Sequence, residues 1–91
     1  MPITVKFFAN FREAADKKQE KVDGVDNIAS LLNDLSKRFG EKMAGQLYAQ
    51  NGRELNKAVN ILVNGKGITS TDISLKDGDV VTIFPPVSGG S

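Results

Sequence analysis

Apolar and polar residues alternate from Ile3 to Phe8, with Ile3, Val5 and Phe7 on one side and Thr4, Lys6 and Phe8 on the other. A period of two predicts a strand. The same period returns at Asp79 to Phe84, where Val81 and Ile83 alternate with Val80, Thr82 and Phe84. Between them the period changes. Ile28, Leu31, Leu32, Leu35 and Phe39 recur at helical spacing and form one apolar stripe. A helix is therefore predicted over Asp26 to Phe39. Asp26 or Asn27 can cap its start, Lys37 and Arg38 suit the dipole in its last turn, and Gly40 fits the residue just past its end.

Weaker signals fill the gaps. Ala9 to Ala15 is predicted as a loop or one helical turn anchored by Phe11, and Lys18 to Val22 as a polar edge strand. Glu41 to Ala58 is the least readable part; Met43, Leu47, Tyr48 and Leu55 could cover the end of the core, and Asn51-Gly52 marks a turn. Val59 to Val63 is a further strand. Asn64-Gly65 signals a hairpin turn, and a short strand around Lys66 to Thr69 completes it. Leu75 tucks in before a turn at Asp77-Gly78.

The order is strand, strand, helix, strand, short strand, strand. One main helix on one face of a mixed sheet is an α+β layout. The ubiquitin-like β-grasp arrangement fits it, with the first and last strands parallel at the centre and the helix across them. If Val5, Phe7, Val81 and Ile83 face the helix, Phe8 and Phe84 face away, with Ile68 expected nearby. Two readings of those aromatics stand side by side. They form a partner surface, or the Glu41 to Ala58 segment folds over them.

The last strand runs into Pro85 and Pro86, which have no amide hydrogen for a ladder, so pairing should end there. Residues 1–86 are read as the domain and 87–91 as a flexible tail. Beyond Val87 only small side chains follow. Gly89 and Gly90 lack a Cβ, so the backbone could enter a slot closed to other residues. From Pro86 to Gly90 the reach is at most about 14 Å. Gly-Gly-Ser is also common linker sequence, so the tail alone does not establish a role.

Composition narrows the chemistry. The 91 residues are enough for one domain with a modest core. Twelve basic and 11 acidic residues give a net charge of +1, with no long block of either sign. This argues against charge-driven binding of nucleic acid or a membrane surface. The chain has no Cys and no His. Disulfides, thiolate metal sites, Cys nucleophiles and Ser-His-Asp triads are excluded. No bound cofactor is expected, and a cytoplasmic location is. Gly65-Lys66-Gly67-Ile68-Thr69 lacks the spacing of a phosphate loop and is read as a turn.

Three stretches resemble the MoaD/ThiS family of ubiquitin-like sulfur carriers: Val5 to Glu13, Val63-Asn64-Gly65, and Leu75 to Gly90. The resemblance spans nearly the whole chain and is nearest to MoaD, the small subunit of molybdopterin synthase. Its most specific part is Asp77-Gly78-Asp79, a strand, then Phe84-Pro85-Pro86-Val87-Ser88-Gly89-Gly90. It implies a carrier rather than an enzyme acting alone. The terminal glycine carboxylate would be adenylated with ATP by a ubiquitin-activating-type, MoeB-like adenylyltransferase. Sulfur would then replace AMP to leave a thiocarboxylate. A MoaE-like large subunit of molybdopterin synthase would receive the tail. By matching motifs, Gly90 would carry the sulfur and Gly89 would allow close approach. Phe8, Ile68, Phe84, Pro85, Pro86 and Val87 would belong to the partner surface.

Two departures stand out. Ser91 follows the diglycine, whereas the family's active form ends on glycine, so the carrier reading needs Ser91 removed or foreign to the native chain. Asp16-Lys17 stands where many relatives have a glycine, which affects only a loop. Two alternatives remain: a protein modifier joined through Gly90 to lysines, and an interaction module that keeps only the fold.

Overall fold

A computed structural model describes residues 2–48, 59–68 and 70–85. Five strands form one mixed sheet in the order β2-β1-β5-β3-β4: β1 Ile3–Phe7, β2 Gln19–Val22, β3 Asn60–Val63, β4 Lys66–Gly67 and β5 Val80–Phe84. The first and last strands are parallel and adjacent, with Val5 beside Val81 and Phe7 beside Ile83. β2 pairs antiparallel with β1, and β3 pairs antiparallel with both β5 and β4. The last strand is thus the middle one. The architecture is the β-grasp fold expected from the order of elements.

The main helix, α2, spans Ile28–Phe39. Of the two candidate caps, the structure uses Asn27: its side-chain oxygen accepts from the Ser30 amide and from the Ser30 hydroxyl, each at 2.8 Å. At the other end Gly40 adopts φ 79°, a conformation open to glycine, and its amide donates to the Ser36 carbonyl. Ile28, Leu31, Leu32 and Leu35 of the apolar stripe are fully buried against Val5, Phe7, Val81 and Ile83 in one core. Phe39 is half-buried and meets Phe7 edge to face, with ring centroids 5.7 Å apart.

Two further helices go beyond the single one expected. α1, Asn10–Ala15, realises the helical turn and buries Phe11 and Ala15. α3, Glu41–Leu47, had no helical signature, because seven residues carry only a short apolar face and Gly45 weakens the pattern. Its Met43 and Leu47 are completely buried and close the end of the core, as their apolar character suggested. The expected contribution of Leu55 and the turn at Asn51-Gly52 lie outside the described residues. β4 is two residues long, and Thr69, included in its expected span, also lies outside them.

Candidate functional site

The parallel register between β1 and β5 places Lys6 beside Thr82 and Phe7 beside Ile83. One step further, Phe8 comes beside Phe84. The Phe8 amide extends the ladder by donating to the Ile83 carbonyl at 3.3 Å. Because Phe7 and Ile83 point into the core, their neighbours point away. The two aromatic rings stack there, 4.7 Å between centroids and 19° between planes. Both are half-buried and neither is part of the core cluster.

The chain leaves this pair through a strained turn. Ala9 has φ 50° and ψ −120°, and the Phe11 amide donates back to the Phe8 carbonyl at 3.1 Å. That is the geometry of a turn whose first central position favours glycine. It brings Arg12 over Phe8, with the guanidinium carbon 5.4 Å from the ring centroid and Nε donating to the Phe7 carbonyl at 3.3 Å. A cation over an aromatic face is attracted by the ring's negative face.

Alternation defines the rest of this surface. Opposite the helices stand Thr4 and Lys6 of β1, Gln19 and Lys21 of β2, Asn60 and Leu62 of β3, and Val80, Thr82 and Phe84 of β5. The core cluster lies on the other side of the sheet, α1 places Arg12 at the border of this face over Phe8, and residues 49–58 of the segment expected as a possible cover lie outside the described residues. Leu62, not singled out from the sequence, belongs here: it is half-buried, outside the core cluster, and pairs with Gly67, where a Cβ would lie 3.6 Å from Leu62 Cδ2. Ile68, expected beside Phe8 and Phe84, is placed elsewhere. Its amide donates to the Ile61 carbonyl at 3.1 Å, and its side chain packs against the core on the covered face. The two-residue turn at Asn64-Gly65 pairs Val63 with Lys66 and Leu62 with Gly67, which brings Ile68 opposite buried Ile61.

At the other end of β5, Asn64 forms a clasp. Its side-chain amide nitrogen donates to Asp79 Oδ1 at 2.9 Å, and its side-chain oxygen accepts from the Val80 amide at 2.9 Å. Asp79 Oδ2 accepts from the Lys76 amide at 2.8 Å. The Asn64 and Lys76 hydrogen bonds hold the Asp79 carboxyl below the usual aspartate range. Asn64 and Gly65 both have positive φ, 51° and 86°, as the tight hairpin requires. The last strand is thus fixed at both ends: by the Asn64 clasp at Val80 and by the aromatic stack at Phe84. Pro85 follows, half-buried; Pro86, Val87, Gly89 and Gly90 lie outside the described residues.

The model of the ThiS family matches residues 5–90. The chain is 35% identical to small archaeal modifier protein 3 of Haloferax volcanii, over 99% of this chain and 100% of that one. It is similar to the solution structure of small archaeal modifier protein 1 from Methanosarcina acetivorans, with a TM-score of 0.85, 30% identity, and coverage of 98% of this chain and 96% of that one. It is also similar to a Pyrococcus furiosus protein provisionally assigned as molybdopterin converting factor subunit 1, with a TM-score of 0.77, 34% identity, and coverage of 96% and 99%. The family match runs from inside the first strand to the diglycine, and across it the chain belongs to the ThiS family of ubiquitin-like proteins.

Proposed function

We propose that this protein carries an activated C-terminal glycine, with Gly90 adenylated by a ubiquitin-activating-type enzyme and then converted to a thiocarboxylate. The observation that supports this most is the placement of β5. The strand leading to the diglycine is the middle strand of the sheet, paired on both sides, and it ends beside a half-buried aromatic pair. A rigid body with a docking face beside the root of a narrow tail suits delivery of a carboxylate into another protein. The chemistry needs activation because a carboxylate is a poor electrophile. Attack of the Gly90 carboxylate oxygen on the α-phosphorus of ATP releases pyrophosphate and gives the acyl-adenylate. A sulfur nucleophile then displaces AMP.

Two uses of the activated glycine follow. The names of small archaeal modifier proteins 1 and 3 favour a modifier joined through Gly90 to lysines of other proteins. The likeness to the Pyrococcus protein favours delivery of sulfur to a molybdopterin synthase large subunit. Both share the first step.

That step is the one to test. Adenylation needs the carboxylate of Gly90, and in the 91-residue sequence its acyl carbon is already in a peptide bond to Ser91. The form ending at Gly90 is expected to support ATP–pyrophosphate exchange with the activating enzyme of its source organism, and the form ending at Ser91 is not. Equal exchange by both would remove Gly90 as the reactive terminus. Exchange by neither, with an enzyme active on another carrier, would leave an interaction module. Gly-Gly remnants on cellular lysines would then single out the modifier use, and sulfur incorporation into the pterin dithiolene the other.

A further inference from the structure

Asn64-Gly65 is a reactive pair as well as a turn. An asparagine carboxamide carbon can be attacked by the next backbone nitrogen, because closure gives a five-membered ring. Glycine in the next position puts no side chain in the way. Both residues are exposed, and both hold positive φ, 51° and 86°. What sets Asn64 apart is how its carboxamide is tied. Nδ2 donates to Asp79 Oδ1 at 2.9 Å, and Oδ1 accepts from the Val80 amide at 2.9 Å. The Asn64 backbone amide donates to the Val80 carbonyl at 2.8 Å. Three hydrogen bonds thus join this one hairpin residue to the start of the last strand, 15 and 16 residues further along the chain.

Ring closure requires the carboxamide to turn onto the Gly65 nitrogen. The clasp opposes that turn, because both polar atoms of the carboxamide are held by β5. One of the two bonds goes to a carboxylate, which is the stronger kind. That carboxylate is itself fixed, since Asp79 Oδ2 accepts from the Lys76 amide at 2.8 Å. Asn64 therefore reacts from the opened clasp, and its rate follows the population of that local opening.

We propose that Asn64 is a one-way modification site: opening of the Asn64–Asp79 clasp allows intramolecular deamidation, and the product keeps the clasp from closing again. In the opened state the Gly65 nitrogen gives its proton to solvent and attacks Asn64 Cγ. The Cγ–Nδ2 bond breaks, and Nδ2 takes a proton from solvent and leaves as ammonia. Water then adds to either carbonyl of the cyclic imide and opens it, giving aspartate or isoaspartate at position 64. Overall, water is taken up and ammonia released, with no other reactant. Aspartate sets a second carboxylate against Asp79 Oδ1, where an N–H stood before, and like charges repel. Isoaspartate adds a carbon to the backbone of a two-residue turn and disturbs the pairing of Val63 with Lys66. Either product leaves the hairpin unfastened from β5. The site thus records how long that junction has stood open, whatever the tail carries.

Two experiments test this. In the first, the full chain is incubated at neutral pH and physiological temperature beside a synthetic peptide of residues 60–68. Peptide mapping by mass spectrometry reads the acid formed at Asn64 separately from that at Asn51, which also precedes a glycine. Asn64 in the folded chain is expected to react at least about tenfold more slowly than in the peptide. Asp79→Ala should recover much of that difference. Asn27→Ala removes the α2 cap and touches no part of the clasp, so it controls for a general loss of stability and should stay near the parent rate. Equal rates in the folded chain and the peptide, or equal acceleration by Asp79→Ala and Asn27→Ala, overturn the proposal. In the second, Asn64→Asp stands for the aspartate product. It should unfold more readily than the parent at neutral pH. The gap should close on acidification, as one of the two facing carboxyls takes a proton and donates it to the other. A gap that does not change with pH, or no gap, overturns the claim that the product holds the clasp open.

Discussion

Ala9 holds a backbone conformation that an L side chain resists, with φ 50° and ψ −120°. Such strain costs about 1–3 kcal/mol, whereas glycine at one site costs about 0.4–1 kcal/mol through the freer unfolded chain. The balance favours glycine. Ala9→Gly is expected to raise stability by about 1 kcal/mol, read from the midpoint of urea unfolding, and unchanged or lower stability would show the turn to be unstrained. The neighbouring pair behaves differently. Phe84 stacks on Phe8 but takes no part in the core, so Phe84→Ala should cost less than the 3–5 kcal/mol typical of a truncated core Phe. Its larger effect should fall on partner binding. A thermal melt and a binding titration on the same variant separate the two, and a stability loss of the full core size would make Phe84 structural.

Among the elements, α2 shows how local signals and packing agree. Its stripe, its cap and its terminal glycine could all be read from side-chain type and spacing. The choice between Asp26 and Asn27 as cap could not, since both side chains can accept the same amide. The structure resolves it: Asp26 uses its carbonyl to accept from the Leu75 amide at 2.8 Å, and Asn27 caps. Asn27→Ala is expected to lower stability by about 1 kcal/mol while leaving the sheet intact, measured by denaturant unfolding with far-ultraviolet circular dichroism. The Phe8–Phe84 pair was legible because strand parity and a parallel central pair together dictate it. Two positions show where that logic stops. Ile68 was expected on the open face, but its side depends on the register of a hairpin whose second strand is two residues long. The Asn64-Gly65 turn carried that register, since a two-residue loop places Ile68 opposite Ile61. The same count puts Leu62 on the open face. α3 was illegible for a different reason: in seven residues its helicity comes from burying Met43 and Leu47, not from propensity.

For the whole molecule, closing the sheet depends on joining β5 to a hairpin that precedes it by many residues, and the Asn64–Asp79 clasp sits at that junction. Asp79 has a folded-state pKa below its ordinary value of 3.8. A carboxyl depressed in this way contributes stability above its unfolded pKa, and the contribution is lost as pH falls through the folded value. Asp79→Ala should therefore be less stable than the parent near neutral pH. The difference should narrow once pH drops below about 4, where the parent's carboxylate begins to protonate. Thermal unfolding of both proteins between neutral and acid pH is the measurement. A gap that stays constant down to strongly acid pH would mean that the clasp works without its charge.

The parallel pairing of β1 and β5 also governs how the protein responds to force. A load applied at the end of β5 and opposed at the start of β1 runs along both strands in opposite senses. The cross-strand hydrogen bonds then lie across the pull and are strained together, rather than opened one at a time as in a hairpin peeled from its free end. β3 holds β5 from the other side through an antiparallel ladder, whose hydrogen bonds also run across the strands. Dragged by its tail through a narrow translocating pore, this domain should act as a brake. Rupture would require the central ladder to slip as a unit, and the rate of that slip, rather than equilibrium stability, would set how long it resists.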